Sequence, residues 1–247
     1  MKKLSWQFWL AMFLIVLSIL LYSLHYVIFL DPHHIFIYML GDLAFLPIEV
    51  LLVTVIVHRL LSQREKRAML EKLNMVIESF FSEVGTGLLR YFIKYDPEID
   101  KIRKQLMVNA AWSDSDFMAA KAAIRQTDHG ILCPKMKLRG IKEYLEERRD
   151  FLLRLLENPN LLEHESFTDT LWAVFHLIEE LLQREDLEAV CDKDLDHLRG
   201  DMNRAYSTLT SQWLDYMMHL KNSYPYLFSL AARMNPFDPE ASPEITK

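Results

Sequence analysis

Two apolar segments near the N-terminus constrain the fold of this chain more than any other feature. The first, Phe8 to Leu30, contains no Asp, Glu, Lys or Arg, and the second runs from Ile35 to Val57. A helix rises about 1.5 Å per residue, so each segment is long enough to cross a hydrocarbon core of roughly 30 Å. We therefore expect a transmembrane helical hairpin within residues 1–61, with spans at about 8–30 and 35–57.

The charges around the hairpin predict its orientation. The first segment is longer than the apolar core of a signal peptide and no A-x-A signature follows it, so we expect it to be retained. The link at residues 31–34 has no Lys or Arg, whereas basic residues flank the two segments on the other side: Lys2, Lys3, Arg59, Arg64, Lys66, Arg67 and Lys72. Basic residues stay on the cytoplasmic side, so both ends and the bulk of the chain are expected there.

Polar residues inside the second segment form a candidate intramembrane site. Asp42 and Glu49 lie seven residues apart and share one helix face. In a closed hairpin Asp42 would lie at the depth of His25. Carboxylates are costly in hydrocarbon, which suggests that they hold the hairpin, or two hairpins, together. The alternatives are that Asp42 caps the helix near the outer interface, or that His25, Asp42 and Glu49 form a proton or cation site.

The residues after the hairpin are predicted to be all-α. Only six Gly occur in the chain, and apolar residues recur at spacings of three and four. We expect a cytoplasmic helical bundle at 62–234 and a mobile, Pro-containing tail at 235–247. The second span is expected to continue as a long helix, whose apolar stripe packs on the domain or, less favoured, forms a dimer seam: Met69, Leu73, Val76, Phe80 and Val84. Gly85-Thr86-Gly87 predicts a kink or a close helix crossing.

Capping residues and breakers predict the remaining helices. Asp96-Pro97 and the capping box at Ser113 to Asp116 each start a helix. Further helices are predicted at about 138–157, 166–186, 194–222 and 226–234.

The net charge argues against nucleic acid as a partner. Residues 1–72 contain seven basic and five acidic residues, a net charge of +2, and the whole chain carries −6, so the remainder carries −8. Nucleic-acid binding depends on Lys and Arg that replace phosphate counterions.

The sequence contains no signature of catalysis. Three His–carboxylate pairs stand one helical turn apart: His176 with Glu180, His197 with Asp201, and Asp215 with His219. The Glu-x-x-His pattern of metal-binding bundles is absent, so we interpret the pairs as solvated contacts. Cys133 and Cys191 are each isolated, and hydrolase, nucleotide-binding and kinase motifs are missing. We therefore predict no catalytic residue, no metal ligand, no cofactor and no enzymatic activity.

Pro225 interrupts an aromatic segment after the longest predicted helix. Tyr224, Tyr226 and Phe228 are a candidate partner-docking element. The alternative, which we favour, is that the segment folds back and fills the bundle, because exposed apolar patches are rare on soluble domains.

Three segments resemble an uncharacterised family of prokaryotic two-span membrane proteins with a helical cytoplasmic domain. They are GDLAFLPIEVLLVTVIVHRLL (41–61), LLEHESFTDTLWAVFHLIEELLQRED (161–186) and LDYMMHLKNSYPYLFSLAARMNPFD (214–238). The resemblance implies a prokaryotic plasma membrane location and no activity.

Taken together, these features predict a non-enzymatic membrane protein that acts in assembly, scaffolding or signalling through its helical domain. Its partners would be the lipid bilayer and either a second copy of the chain or another protein. The alternative is an ion- or proton-handling protein that uses Asp42 and Glu49.

Overall fold

A computed structural model describes residues 6–126, 130–159, 161 and 164–244, and within these residues the chain is helical and has no strand, which confirms the predicted fold class. The chain divides into two compact units, Met1–Lys66 and Arg67–Lys247. The described part of the chain contains ten α-helices: α1 (Trp6–Phe29), α2 (Pro32–Phe80), α3 (Thr86–Ile93), α4 (Ile99–Arg103), α5 (Asp114–Gln126), α6 (Lys135–Glu146), α7 (Arg149–Leu156), α8 (Glu165–Leu182), α9 (Asp192–Ser223) and α10 (Pro225–Arg233).

The first unit contains α1 and the part of α2 up to Lys66. A tight link joins the two helices: Leu30 adopts a positive φ of 49°, and the Asp31 carboxylate accepts the backbone N–H of His33 at 2.9 Å. The second helix does not end at Val57 but continues to Phe80, as the sequence predicted. Both helices are long and apolar enough to cross a membrane.

The apolar stripe of α2 is buried in the second unit. Leu73, Phe80 and Val84 are fully buried, and the stripe is therefore a packing face of this unit, the interpretation that the sequence favoured. A π-helical turn, Phe81–Gly85, separates α2 from α3.

Gly87 marks a close helix crossing, which confirms one of the two roles predicted for the glycine pair. A Cβ atom at Gly87 would lie 2.1 Å from the hydroxyl oxygen of Tyr144 on α6. That hydroxyl donates a hydrogen bond to the carbonyl oxygen of Val84 at 2.9 Å. Only a residue without a side chain lets α3 approach Tyr144 this closely.

Local capping signals place several helix starts where they were predicted. The Asp96 carboxylate accepts the backbone N–H of Glu98 at 2.9 Å, and the Asp116 carboxylate accepts that of Ser113 at 2.6 Å. The helix predicted at 138–157 is instead two helices, α6 and α7, which are separated at Glu147 and Arg148.

The core of the second unit is built around α8 and α9. Their facing sides are apolar and buried, as are large aromatic groups from other helices: Phe80, Phe81, Phe92, Phe117, Phe167, Tyr206, Trp213 and Phe237. Burial of these side chains is the main term that stabilises the unit.

The prediction of a mobile tail at 235–247 is wrong for its first residues. Asn235 and Phe237 are each 1% exposed. The Asn235 amide donates to the carbonyl oxygen of Leu106 at 2.8 Å, and the Phe237 ring packs edge-on against Trp213 at 5.1 Å. This polar, Pro-containing segment is therefore part of the folded unit, and residues 245–247 lie outside the described residues.

A His–carboxylate cluster between α8 and α9

Two of the three predicted His–carboxylate pairs meet across neighbouring helices. His176 and Glu180 lie on α8, and His197 and Asp201 lie on α9. The His176 Nε2 atom is 3.9 Å from Glu180 Oε1 and 3.6 Å from Asp201 Oδ1. The His197 Nε2 atom is 3.6 Å from Glu180 Oε2 and 3.5 Å from Asp201 Oδ2. Each imidazole therefore faces both carboxylates. We call these four residues the His–carboxylate cluster.

Asp201 is the buried member of the cluster. Its side chain is 3% exposed, so the expectation of a solvated contact is wrong for this residue. Its Oδ1 atom accepts a hydrogen bond from Arg204 at 3.2 Å, whereas its Oδ2 atom has no hydrogen-bond partner within the described part of the chain. A buried carboxylate oxygen without a partner is costly, because burial strips its hydration.

Arg184 fixes the orientation of Glu180. Its guanidinium donates a hydrogen bond to Glu180 Oε2 at 2.8 Å and also donates to both carboxylate oxygens of Asp194, at 2.6 and 2.9 Å. Hydrogen bonding to Arg184 is the main cause that lowers the pKa of Glu180; burial opposes this shift, and the positive charge of Arg184 adds to it. The hydrogen bond from Arg184 likewise lowers the pKa of Asp194. Glu180 therefore stays ionised, with its Oε1 atom directed toward His176.

The third predicted pair does not join the cluster. Both oxygens of Asp215 accept from the Lys121 ammonium at 2.7 Å. The Asn74 amide donates to His219 Nδ1 at 3.2 Å, and burial lowers the pKa of that imidazole. Asp215 therefore links α9 to α5, and His219 links α9 to α2.

The candidate intramembrane residues lie on the two apolar helices. His25 is the one partly buried residue of α1, and its Nε2 atom has no hydrogen-bond partner within the described residues. Asp42 and Glu49 are both exposed on α2, and no ion pair of the described residues includes either carboxylate. Their predicted contacts with α1 therefore stay a prediction.

The candidate docking element, Tyr224, Tyr226 and Phe228, is partly buried in the bundle and partly exposed for docking. Phe228 is 4% exposed and fills the core, whereas Tyr226 is 72% exposed. Tyr224 is half-buried and packs edge-on against His219, with ring centroids 5.7 Å apart. Trp172 on α8 is a further exposed aromatic residue.

Sequence comparisons identify relatives without a known activity. A family model described as the C-terminal helical domain of the uncharacterised protein MJ1433 matches residues 69–233, and a model of the N-terminal helical domain of MJ1433 matches residues 2–61. The uncharacterised protein MJ1433 of Methanocaldococcus jannaschii is 50% identical over 228 residues, which are 92% of both chains. No solved structure matches. The predicted resemblance to an uncharacterised family is confirmed, and the family descriptions mention neither a membrane nor a partner.

Proposed function

The chain belongs to the uncharacterised MJ1433 family, and we propose that it is a non-enzymatic integral membrane protein that acts in assembly, scaffolding or signalling. The observation that carries this proposal is the exposure of two long apolar helices. Within 6–65 every residue except His25, Asp31 and Ile35 is exposed. A contiguous apolar surface of this size greatly exceeds the few hundred Å² found on soluble monomers.

Lipid is the environment that suits this surface. Helix α1 has 24 residues and is therefore about 36 Å long, enough to cross the hydrocarbon core of a bilayer. The basic residues outside the two helices favour cytoplasmic ends, and the likeness to prokaryotic proteins favours the plasma membrane. In this topology the helical unit from Arg67 onward lies in the cytoplasm.

Asp42 and Glu49 support self-association as the means of assembly. A carboxylate facing lipid at mid-span costs about 2.5–3.5 kcal/mol on insertion scales. Covering both carboxylates with a second hairpin, whose His25 and Ser23 offer polar atoms, offsets part of that cost. Tyr226 and Trp172 offer exposed aromatic surface for contacts with another protein.

Fractionation and crosslinking of the full chain test this proposal. We expect the protein in the membrane fraction after alkaline carbonate extraction, and crosslinked dimers that disappear in the double variant Asp42→Leu, Glu49→Leu. Thr54→Leu is the matched control, because it removes an uncharged polar group from the same helix and should leave the dimers intact. Recovery of the protein in the soluble fraction would contradict the membrane proposal, and unchanged dimers in the double variant would contradict the role of the carboxylates.

Ion handling is the second candidate function, favoured by the exposed carboxylates of Asp42 and Glu49 on α2, which form no ion pair with any residue that the structure describes. It predicts proton or cation flux in liposomes containing the purified chain, and loss of that flux in Glu49→Gln. Flux that is equal in Glu49→Gln and in the unaltered protein, or no flux at all, would reject it.

A further inference from the structure

We propose that the His–carboxylate cluster binds one divalent transition-metal ion. The ligands would be His197 Nε2, Asp201 Oδ2 and a carboxylate oxygen of Glu180, and the imidazole of His176 lies beside them, 3.6 Å from Asp201 Oδ1. Carboxylate and imidazole groups of Glu180, His197 and Asp201 lie within 4.8 Å of one another. This binding site is independent of the membrane function proposed above.

The distances between imidazole and carboxylate favour coordination over hydrogen bonding. They range from 3.5 to 3.9 Å, beyond the usual 2.7–3.2 Å of an N–H···O hydrogen bond. Zinc–nitrogen and zinc–oxygen bonds of about 2.0–2.2 Å in a tetrahedron place neighbouring ligand atoms about 3.3–3.5 Å apart. Small side-chain movements would bring Glu180, His197 and Asp201 into one coordination sphere, since their ligand atoms already lie within 4.8 Å of one another.

The unpartnered Oδ2 atom of Asp201 is an independent indication of a ligand. Its side chain is 97% removed from solvent, yet this oxygen accepts no hydrogen bond from the described residues. His197 Nε2 lies 3.5 Å from this oxygen. A cation between the two would satisfy the oxygen and use the imidazole as a second ligand.

Two arginines have the arrangement of supporting groups around a metal site. Arg184 holds Glu180 through Oε2, and Arg204 holds Asp201 through Oδ1. In both residues the other oxygen also has an imidazole beside it: Glu180 Oε1 lies 3.9 Å from His176 Nε2, and Asp201 Oδ2 lies 3.5 Å from His197 Nε2. Such hydrogen bonds to ligating carboxylates orient them and tune the affinity for metal.

The donor set selects the class of metal. Imidazole nitrogen together with carboxylate oxygens suits Zn²⁺, Fe²⁺, Mn²⁺ or Co²⁺, whereas Ca²⁺ and Mg²⁺ prefer oxygen ligands alone. His176 and His197 are each about half exposed, so an ion reaches the site from solvent without opening the core.

Metal titration of the full chain tests the proposal. The protein is purified in detergent with a tag that contains no histidine, is stripped with a chelator, and is titrated with Co²⁺ and with Zn²⁺ against a chromophoric chelator. We expect one ion per chain and visible Co²⁺ bands of a low-coordinate site. The variant His176→Ala, His197→Ala should bind the metal at least about tenfold more weakly. Even the removal of a residue that only hydrogen-bonds to a metal ligand weakens binding by about this factor.

The double variant His33→Ala, His34→Ala is the matched control. It removes two exposed histidines from the link between α1 and α2 and should bind as tightly as the unaltered protein. Asp201→Asn should also weaken binding, with circular dichroism showing that the helices remain. Absence of stoichiometric binding, or equal affinity in the two histidine double variants, would overturn the proposal.

Discussion

The crossing of α3 and α6 at Gly87 makes a sharp prediction about stability. In Gly87→Ala the new Cβ atom would lie 2.1 Å from the Tyr144 hydroxyl oxygen and 2.8 Å from the ring carbon that carries it. The ring must therefore move. It cannot do so freely, because its hydroxyl is bonded to the Val84 carbonyl and the Arg148 guanidinium lies 3.9 Å from its centroid.

The magnitude follows from the contacts that the movement breaks. Loss of the hydrogen bond costs about 1 kcal/mol. An off-rotamer side chain costs about 0.5–1.5 kcal/mol, and a weakened cation–π contact costs about 0.5–1 kcal/mol. Alanine has a better helix propensity than glycine, which stabilises the variant by up to about 1 kcal/mol and offsets part of these costs. We expect Gly87→Ala to lower the free energy of unfolding by about 1–2.5 kcal/mol, and the melting temperature by roughly 2–10 °C.

Gly200→Ala is the control, because Gly200 lies inside α9 and a Cβ atom added there would lie within 4 Å of no described atom outside the backbone of its own helix. It should stabilise the protein by up to about 1 kcal/mol, the opposite sign. Thermal melts of the full chain in detergent, followed by near-ultraviolet circular dichroism of the buried aromatic residues, compare the two variants. In a Tyr144→Phe background the closest contact is gone, so Gly87→Ala should cost less there. Stabilisation by Gly87→Ala equal to that by Gly200→Ala would refute the close crossing.

Further predictions concern α10, the C-terminal segment and the two cysteines. Phe228→Ala should lower the free energy of unfolding by about 3–5 kcal/mol, because it empties a buried site. Tyr226→Ala should change that free energy by no more than about 0.5 kcal/mol, because the ring is exposed. If denaturation experiments give similar free-energy changes for the two variants, the placement of the two rings is wrong. Asn235→Ala should cost about 1–3 kcal/mol in the same experiment, because it removes the acceptor of the buried Phe237 N–H as well as the bond to Leu106. An unchanged stability would show that the tail does not dock. Burial raises the pKa of the Cys133 thiol to about 11, so near pH 8 only about one molecule in a thousand carries the thiolate. A thiol reagent should therefore modify the exposed Cys191 quickly and Cys133 only on unfolding, and two equally fast reactions would contradict this burial.

The features that the sequence predicted correctly depend on residues a few positions apart. The capping contacts of Asp96 with Glu98 and of Ser113 with Asp116 each span at most three residues. Pro225 stands at the first position of α10, where its missing N–H is harmless. Local capping and breaking signals of this kind act within one turn, so the order of residues alone is enough to identify them.

The features that the sequence did not predict depend on distant contacts. No Pro or Gly marks the break between α6 and α7, and Arg148 at that break donates to the carbonyl oxygen of Glu83 at 2.9 Å. Asn235 belongs to a segment whose composition is typical of a mobile tail, but its amide bonds to Leu106, 129 positions earlier. In both cases the partner that decides the conformation lies on another helix or connection.

The His–carboxylate cluster shows where prediction from spacing ends. A pair such as His176 and Glu180 shares a helix face by its spacing alone, which is a common arrangement on charged helices. The cluster is unusual because the pair on α9, His197 and Asp201, faces the pair on α8, and because the Asp201 side chain is only 3% exposed. That register follows from the packing of the apolar sides of α8 and α9, and a slip of one residue would turn one pair by about 100°. Since a buried, half-satisfied carboxylate opposes folding, a ligand that completes its contacts gives the arrangement a physical reason.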